Sequence, residues 1–571
     1  MTSGKRCEPC VAAMLRRAAG VIVAMTAALA SLLSGPSEIH AQEFVWSASH
    51  GVPTGSEFED YLRLLQATGN SPWTPWTIRA LTPKELEDIA SVSGTHPWAS
   101  WIEVDVEDGE RPAVDWIPFD SGLHFNSGFP FGDNDGSLWA GRGLSLRASG
   151  GFVFRWGGLH VRAAPEVWWA QNLPFGLTPN GLSDGGAFRD PVRPGSIDLP
   201  QRFGSTSLGG VSPGSSQITV TLPLLTLGVS GAAQTWGPGT RYHLLMGPNA
   251  GGMPHLFAST SGPLDIGIGR LSARLILGRL GQSAWSPVQE GQTRRFLSGA
   301  VVTFAPDLIQ GLELGVERVV HGIWPEGGPR VGEILRPFSG GVSTGYVGDP
   351  LGGTNRLEEN QLAGAFARWL HRDSGLEVWA ELVRDDFARD IRHYLLEPDD
   401  LLARSLGIQR VMELSANRWM TLRGEVVSAE THHSEREDRS YRRPGVGAPP
   451  IPLFPNGGVR QGHTLDGQLL ASPAVYGGSA WTLGADVHSE SGRWSIDLFR
   501  ELRRDWSRTL SGGEGDLADV IYGVRMEWVL FRQRQQLSMS LTPALNLNRN
   551  LLPGNDVLNV GAAISARGLP W

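Results

Sequence analysis

Cysteine is nearly absent: Cys7 and Cys10 are the only two in 571 residues, and both precede an apolar stretch near the N-terminus. They are not placed for lipid attachment, and a chain processed beyond them has no disulfide to staple it. Its stability must come from burial and hydrogen bonding. Past that first stretch no apolar run reaches the roughly 20 residues that a membrane-spanning helix needs. Excess basic charge is missing too. The formal net charge is −9, and losing residues 1–41 removes four cations and two anions and moves it to −11. That balance excludes a nucleic-acid footprint. No serine, cysteine or phosphate-loop pattern for nucleophilic or nucleotide chemistry stands out, and no cofactor is expected.

Residues 1–41 read as a signal peptide, since Arg16 and Arg17 precede the apolar residues 18–33 and Ile39-His40-Ala41 precedes Gln42 with small-residue cleavage geometry. The competing reading, a retained anchor, needs a longer apolar stretch. The remaining chain is rich in turn formers and tryptophan, with 74 glycines, 38 prolines and 21 tryptophans in all, which suits many strands joined by turns and carrying interfacial aromatics. A soluble carbohydrate-active β-protein shares that composition, so the strand pattern decides.

Trp481, Leu483, Ala485 and Val487 alternate with Thr482, Gly484, Asp486 and His488. Trp494, Ile496 and Leu498 likewise oppose Ser495 and Asp497, and Tyr522, Val524, Met526, Trp528 and Leu530 oppose Gly523, Arg525 and Glu527. Bulky apolar residues on one face and polar ones on the other fit a strand between lipid and a wet lumen. Further candidates come in pairs: 142–149 with 152–156, 295–304 with 312–320, 362–370 with 376–386, and 406–414 with 419–427. Residues 264–279 read as one strand, and 537–541 leads toward 557–565. The fold class expected is all-β, a transmembrane antiparallel barrel over residues 101–571. At roughly 20 to 25 residues per strand and connection, about 16 to 20 strands fit. Stretches 171–215, 322–358, 429–477 and 507–519, rich in Gly, Pro, Ser and charge, are the expected surface loops.

The segment 42–100 differs in kind. Ser56 and Glu59 have capping-box spacing, Phe58, Tyr61, Leu62 and Leu65 recur at helical spacing, and Gly69 suits the helix end. Thr82, Pro83 and Glu85 start a second helix, with Leu81 placed to staple onto Leu86. Two short amphipathic helices need cover, and a periplasmic barrel mouth supplies it, so 42–100 reads as a helical plug.

Glu377, Glu381 and Asp385 share one strand face, where acids facing a wet lumen need no catalytic role. His432, His433 and Glu435 sit in a charge run better read as solvated than as a metal site. Asp133-Asn134-Asp135-Gly136 lacks the spaced ligands of a calcium loop and reads as a turn. Trp236-Gly237-Pro238-Gly239 suits either a sugar-stacking platform or a bend at the barrel rim.

Several phrases resemble the capsule assembly protein Wzi family, and they run from the helical start through most of the barrel region. The best marked is 234–254, with Trp236-Gly237-Pro238-Gly239, then Leu244, Leu245, Asn249, Ala250 and Pro254. Others are Asn134-Asp135-Gly136 through Trp139 to Gly143, the stretch 377–387, Leu396-Glu397-Pro398 with Gly407, and Gly462-His463 with Thr464-Leu465. Thr464 stands where the family phrase has proline, and the chain ends in Pro570-Trp571. The resemblance implies an 18-stranded outer-membrane barrel, closed at its periplasmic end by a small helical bundle, that binds capsular polysaccharide and helps hold it at the cell surface. Trp236, Arg384, Asp385 and His463 are the candidate contacts within these phrases. The expected partners are a surface or capsular polysaccharide and outer-membrane lipid, with no nucleic acid, for a monomer that is not an enzyme. The alternatives are a pore for sugars or small solutes and a secreted carbohydrate-active enzyme.

Overall fold

The computed structural model describes residues 46–47, 50–90, 96–103, 111–191, 193–338, 359–385, 395, 398, 401–430, 452–503, 518–532 and 535–569. Its dominant feature is a closed antiparallel barrel. The staves, in chain order, begin with β1 (Ala113–Asn126), β2 (Gly143–Trp156), β3 (Leu159–Ala163 continued by Glu166–Ala170), β4 (Leu208–Ser212 continued by Gln217–Thr221), β5 (Leu225–Ser230) and β6 (His255–Thr260 continued by Leu264–Asp265). Next come β7 (Gly269–Leu280), β8 (Arg295–Pro306), β9 (Leu312–Ile323), β10 (Glu359–His371), β11 (Leu376–Asp385) and β12 (Leu402–Ser415). The last six are β13 (Arg418–Ser428), β14 (Ser479–Ser489), β15 (Gly492–Leu502), β16 (Val520–Arg532), β17 (Gln535–Leu547) and β18 (Val557–Leu569). Stave β18 pairs with β1 and closes the cylinder at 18, within the expected range and at the favoured value.

Three staves are broken, each at a proline. Pro165 interrupts β3 without changing its register on β2, since Phe152 faces Ala163 and Ser149 faces Glu166. Pro213 lies in a bulge of β4, where one extra residue separates the pairs Glu166–Ser212 and Arg162–Gln217. Pro263 falls between the two parts of β6, which pair with β7 in registers two residues apart. A proline has no N–H for the ladder and is tolerated at such bulges.

Two sequence expectations change here. Residues 264–279 are a hairpin and not one strand, because Gly267 takes a φ of +82°, which breaks the run between Asp265 and Gly269. The expected loop 171–215 ends early, because Leu208–Ser212 joins the ladder beside Glu166–Ala170. Residues 431–451, with His432, His433 and Glu435, lie outside the described residues, as do 504–517 and Pro570-Trp571.

The two faces of the wall have opposite chemistry. Leu483, Trp494, Ile496, Leu498, Tyr522, Trp528 and Leu530 are exposed on the outside, whereas Thr482, Asp486, His488, Ser495 and Asp497 are buried inside. Trp116, Trp156, Trp494 and Trp528 are exposed near one end of the cylinder, and Trp169 and Tyr522 near the other. An apolar belt between aromatic rings matches a bilayer's core and its two interfaces. The connections divide by end as well. One end carries only tight turns, such as 157–158, 416–417 and 490–491, the longest being 307–311. The other end carries every long connection, among them 127–142, 171–207, 231–254 and 429–478.

Helix α1 (Glu57–Ala67) starts where Ser56 accepts the Glu59 amide at 3.3 Å, while the Glu59 carboxylate accepts the Gly55 amide at 2.7 Å. Helix α2 (Pro83–Ala90) has a full capping box, with Glu85 N–H donating to Thr82 Oγ1 and Thr82 N–H to the Glu85 carboxylate. The buried side of α1 meets the barrel interior at the tight-turn end. Tyr61 stacks on Trp98 with ring centres 4.0 Å apart, and Trp98 Nε1 donates to Ser489 O beside the 490–491 turn. Phe58, Leu62 and Leu65 join Trp419 and Phe531 of the wall in one apolar cluster.

Candidate functional site

Acidic side chains on β9, β11 and β13 organise the lumen. Glu377 accepts from Arg63 of α1 at 2.5 Å, from Arg368 at 2.6 Å and from Gln409 at 2.6 Å, and these groups are all but fully buried. Glu313 accepts the Trp76 amide at 3.0 Å and the Thr77 amide at 3.1 Å, and it also bonds the Thr77 hydroxyl. Glu425 accepts the Thr240 hydroxyl at 2.7 Å and the Arg241 amide at 2.9 Å. Of the strand-face acids seen in the sequence, Glu377 thus holds side chains, whereas Glu313 and Glu425 hold inserted backbone. Asp385 does the same for the Phe454 amide, at 2.7 Å.

The connection 231–254 folds inward. Thr235–Trp236 pairs with Ile78–Arg79, and Arg79 donates to the carbonyls of Gly237 and Gly239 at 3.2 and 3.3 Å. Gly237 is required here. Its φ is +82°, and a Cβ on it would lie 2.6 Å from Glu381 Oε2. Trp236 is 0% exposed, with its ring against Gly299 and Ile276 of the wall. The tryptophan therefore stacks on the barrel and offers no face to a sugar in this conformation.

His463 is also fully buried. Its Nε2 lies 2.7 Å from Leu245 O, to which only an N–H can bond, so its Nδ1 accepts from His321 Nε2 at 2.8 Å. Its ring stacks on Phe454, and Arg295 grips the flanking carbonyls of Gly462 and Thr464 at 2.6 and 2.7 Å. Burial lowers the His463 pKa to about 4 from its usual 6.5, and Arg295 adds to the effect. A proton on Nδ1 would set two donors against each other. The folded chain thus binds fewer protons than the unfolded one between about pH 4 and 6.5. The latch is intact above that window and weakens as pH falls through it. Near-ultraviolet circular dichroism should report looser packing at pH 4.5 than at pH 7, and His463→Gln should shrink the difference. Of the four sequence candidates, Trp236, Asp385 and His463 are thus buried in the lumen, and Arg384 is half-buried near the end of β11.

The long-loop end holds a cleft of about 180 Å³ that sequence reasoning did not find. Phe129, Trp139 and Phe175 give it aromatic walls, and Gln201, Arg503 and Arg549 give it polar ones. The Arg549 guanidinium sits 4.1 Å from the Phe129 ring centre. Paired asparagines shape the rim. Asn126 donates to the carbonyls of Phe131 and Ala140 at 2.9 and 3.0 Å, and Asn559 donates to Asn126 at 2.9 Å while accepting the Gly128 amide at 2.8 Å. Asn172, with φ at +55°, donates to the carbonyls of Phe203 and Thr206 at 3.0 and 2.9 Å. Gln201 and Thr178 exchange two bonds, at 2.8 and 2.9 Å. The sequence signal was thin: asparagines at or near strand ends beside glycine and aromatic residues, whose partners lie 5 to 34 positions away in the loops or, for Asn559, 433 positions away at Asn126.

Asp135, from the expected turn, lines this cleft, and Asp133 lies 3.7 Å from Arg503 of its wall. Burial opposes charge on Asp133, but Arg241, at 2.9 Å, together with Arg503 and Arg525 holds its carboxyl below the usual range. Burial and the neighbouring Asp133 push Asp135 up to about 7.

No protein-family model matches the chain, and no curated protein matches it. Among solved structures it is similar to Wzi, an outer-membrane protein involved in group 1 capsule assembly in Escherichia coli and a carbohydrate-binding β-barrel. The TM-score is 0.56 at 14% identity, over 91% of this chain and 99% of that one. The outer-membrane protein OprD of Pseudomonas aeruginosa aligns at TM-score 0.35 and 8% identity, over 80% and 93% of the two chains. The channel DcaP of Acinetobacter baumannii aligns at 0.30 and 10%, over 81% and 98%. With its apolar belt, aromatic ends and closed ladder, the chain is an outer-membrane β-barrel whose 18-stave fold is similar to that of Wzi.

Proposed function

We propose that this barrel binds a surface or capsular polysaccharide at its long-loop end, without enzymatic turnover, and helps assemble or anchor that polymer at the cell surface. The observation that carries the reading is the pairing of an occupied lumen with an aromatic and polar cleft on the long-loop side. Short turns face the periplasm in outer-membrane barrels and long loops face outward. On that rule α1 and α2 form a periplasmic plug within 42–100 and the cleft opens to the exterior, while the charged-then-apolar pattern supports residues 1–41 as a removed signal peptide. The fold shared with a carbohydrate-binding barrel supports the same reading. In this reading the barrel acts as a monomer, and its closed ladder leaves no strand edge to pair with a second chain.

Aromatic faces cover the C–H surfaces of sugars, while amides and guanidinium groups take hydroxyls. Each contact is weak, and a repeating polymer multiplies them. Retention of the producing organism's own polysaccharide on immobilised mature protein tests the proposal, and no retention sinks it. Planar-bilayer recording should stay silent, whereas sustained conductance would favour a pore. Trp139→Ala removes one stacking wall and should weaken binding of a short oligosaccharide by up to about tenfold, equivalent to roughly 0.5–1.5 kcal/mol, with the fold intact by circular dichroism.

A further inference from the structure

The inserted segments make their buried ion pairs with one side of the cylinder and leave room on the other. There a cavity of about 330 Å³ lies between residues 51–57 and the wall formed by β1 to β4, β17 and β18. Three cations reach it, Arg147, Arg162 and Arg567, and the wall supplies two acids, Asp120 and Glu166. Glu57 also borders it but is engaged by Arg493 at 2.8 Å. Arg567 lies 3.4 Å from Asp120.

The other two arginines are not matched in this way. Among the described residues neither Arg147 nor Arg162 has an ion pair or a hydrogen bond, and the Nε of each is buried without a partner. Arg162 is only 6% exposed, and the charged neighbour that acts on it is Arg567, a second cation. The N-terminal segment fixes its position. Gly51, at a φ of +68°, lies so close that a Cβ there would stand 2.6 Å from Arg162 Nη1. A buried cation facing another cation is unfavourable unless a negative group joins them.

We propose that this cavity binds a small anion, a carboxylate or a phosphate, between Arg162 and Arg147. Guanidinium forks suit both chemistries because they offer paired N–H donors. Ser149, Ser215 and Gln217 add hydroxyl and amide groups for the rest of the solute. Among the described residues no aromatic ring lines the cavity, so they offer no stacking surface to a neutral sugar. The site is independent of whatever the long-loop end binds.

The test is calorimetric titration of the detergent-solubilised mature barrel with inorganic phosphate and, separately, with glucuronate, both at low salt. At least one should bind saturably. Binding of phosphate alone assigns the site to phosphorylated solutes, and binding of glucuronate alone assigns it to acidic sugars. Arg162→Gln should weaken binding at least tenfold, Glu166→Gln should tighten it by removing a competing acid, and Arg372→Gln, on a tight turn, should leave it unchanged. No saturable binding of either anion to the wild type overturns the proposal, as does undiminished binding by folded Arg162→Gln. If that variant does not fold, failure of Glu166→Gln to tighten binding has the same force.

Discussion

Glu377→Ala should unseat helix α1 and turn a silent barrel into a conducting one. The carboxylate stands between Arg63 and Arg368, and its removal leaves two guanidinium groups facing each other out of contact with water. Breaking a buried pair by deleting one partner costs about 3–5 kcal/mol. Glu313, 3.4 Å from Arg368, compensates only in part and is already engaged by the backbone at Trp76 and Thr77. Arg63→Met is the informative contrast. It leaves Glu377 with Arg368 and Gln409 and fills the space with an apolar chain, so its effect should be far smaller. Single-channel recording reads the difference, with frequent opening steps for Glu377→Ala and rare ones for Arg63→Met. Equal silence in both would mean that the lumen stays closed without this pair.

Trp236→Ala should cost about 3–5 kcal/mol, the range for truncating a fully buried large aromatic side chain. The indole fills the space over Gly299, where a Cβ would come within 2.6 Å of its ring. Alanine there leaves a hollow that neither Ile276 nor the neighbouring backbone closes. The loss should appear in chemical denaturation as a lower midpoint. It should also release 231–254 to protease, because Trp236 N–H bonds Met246 O and its ladder with Ile78 ties the connection to the plug. An unchanged cleavage pattern would show that the Glu425 contacts alone hold this connection.

The sequence made the wall legible because strand chemistry is local. Thr482 to His488 show which residue faces lipid and which faces the lumen with no knowledge of their neighbours, and both helix caps lie within a few residues of their partners. The inward connections were not legible. Trp236-Gly237-Pro238-Gly239 allowed a sugar platform or a rim bend, and what decides is Glu381 and Glu425, which lie far along the chain. The same applies to His463, whose burial depends on His321 and Leu245, and to Asn126, which needs Asn559. Polar residues in such connections look like surface residues until long-range contacts supply their partners. The hairpin at 264–279 is hidden in the sequence because Gly267, whose φ of +82° makes the turn, fits a continuous strand pattern equally well.

The breaks at Pro165 and Pro213 fall side by side, and Ala164, Gly214 and Ser215 beside them face the arginine-lined cavity. Long uninterrupted ladders, such as those joining β7 to β11, make the opposite wall stiff. A vessel with one soft panel flexes there first, so thermal breathing concentrates on this arc.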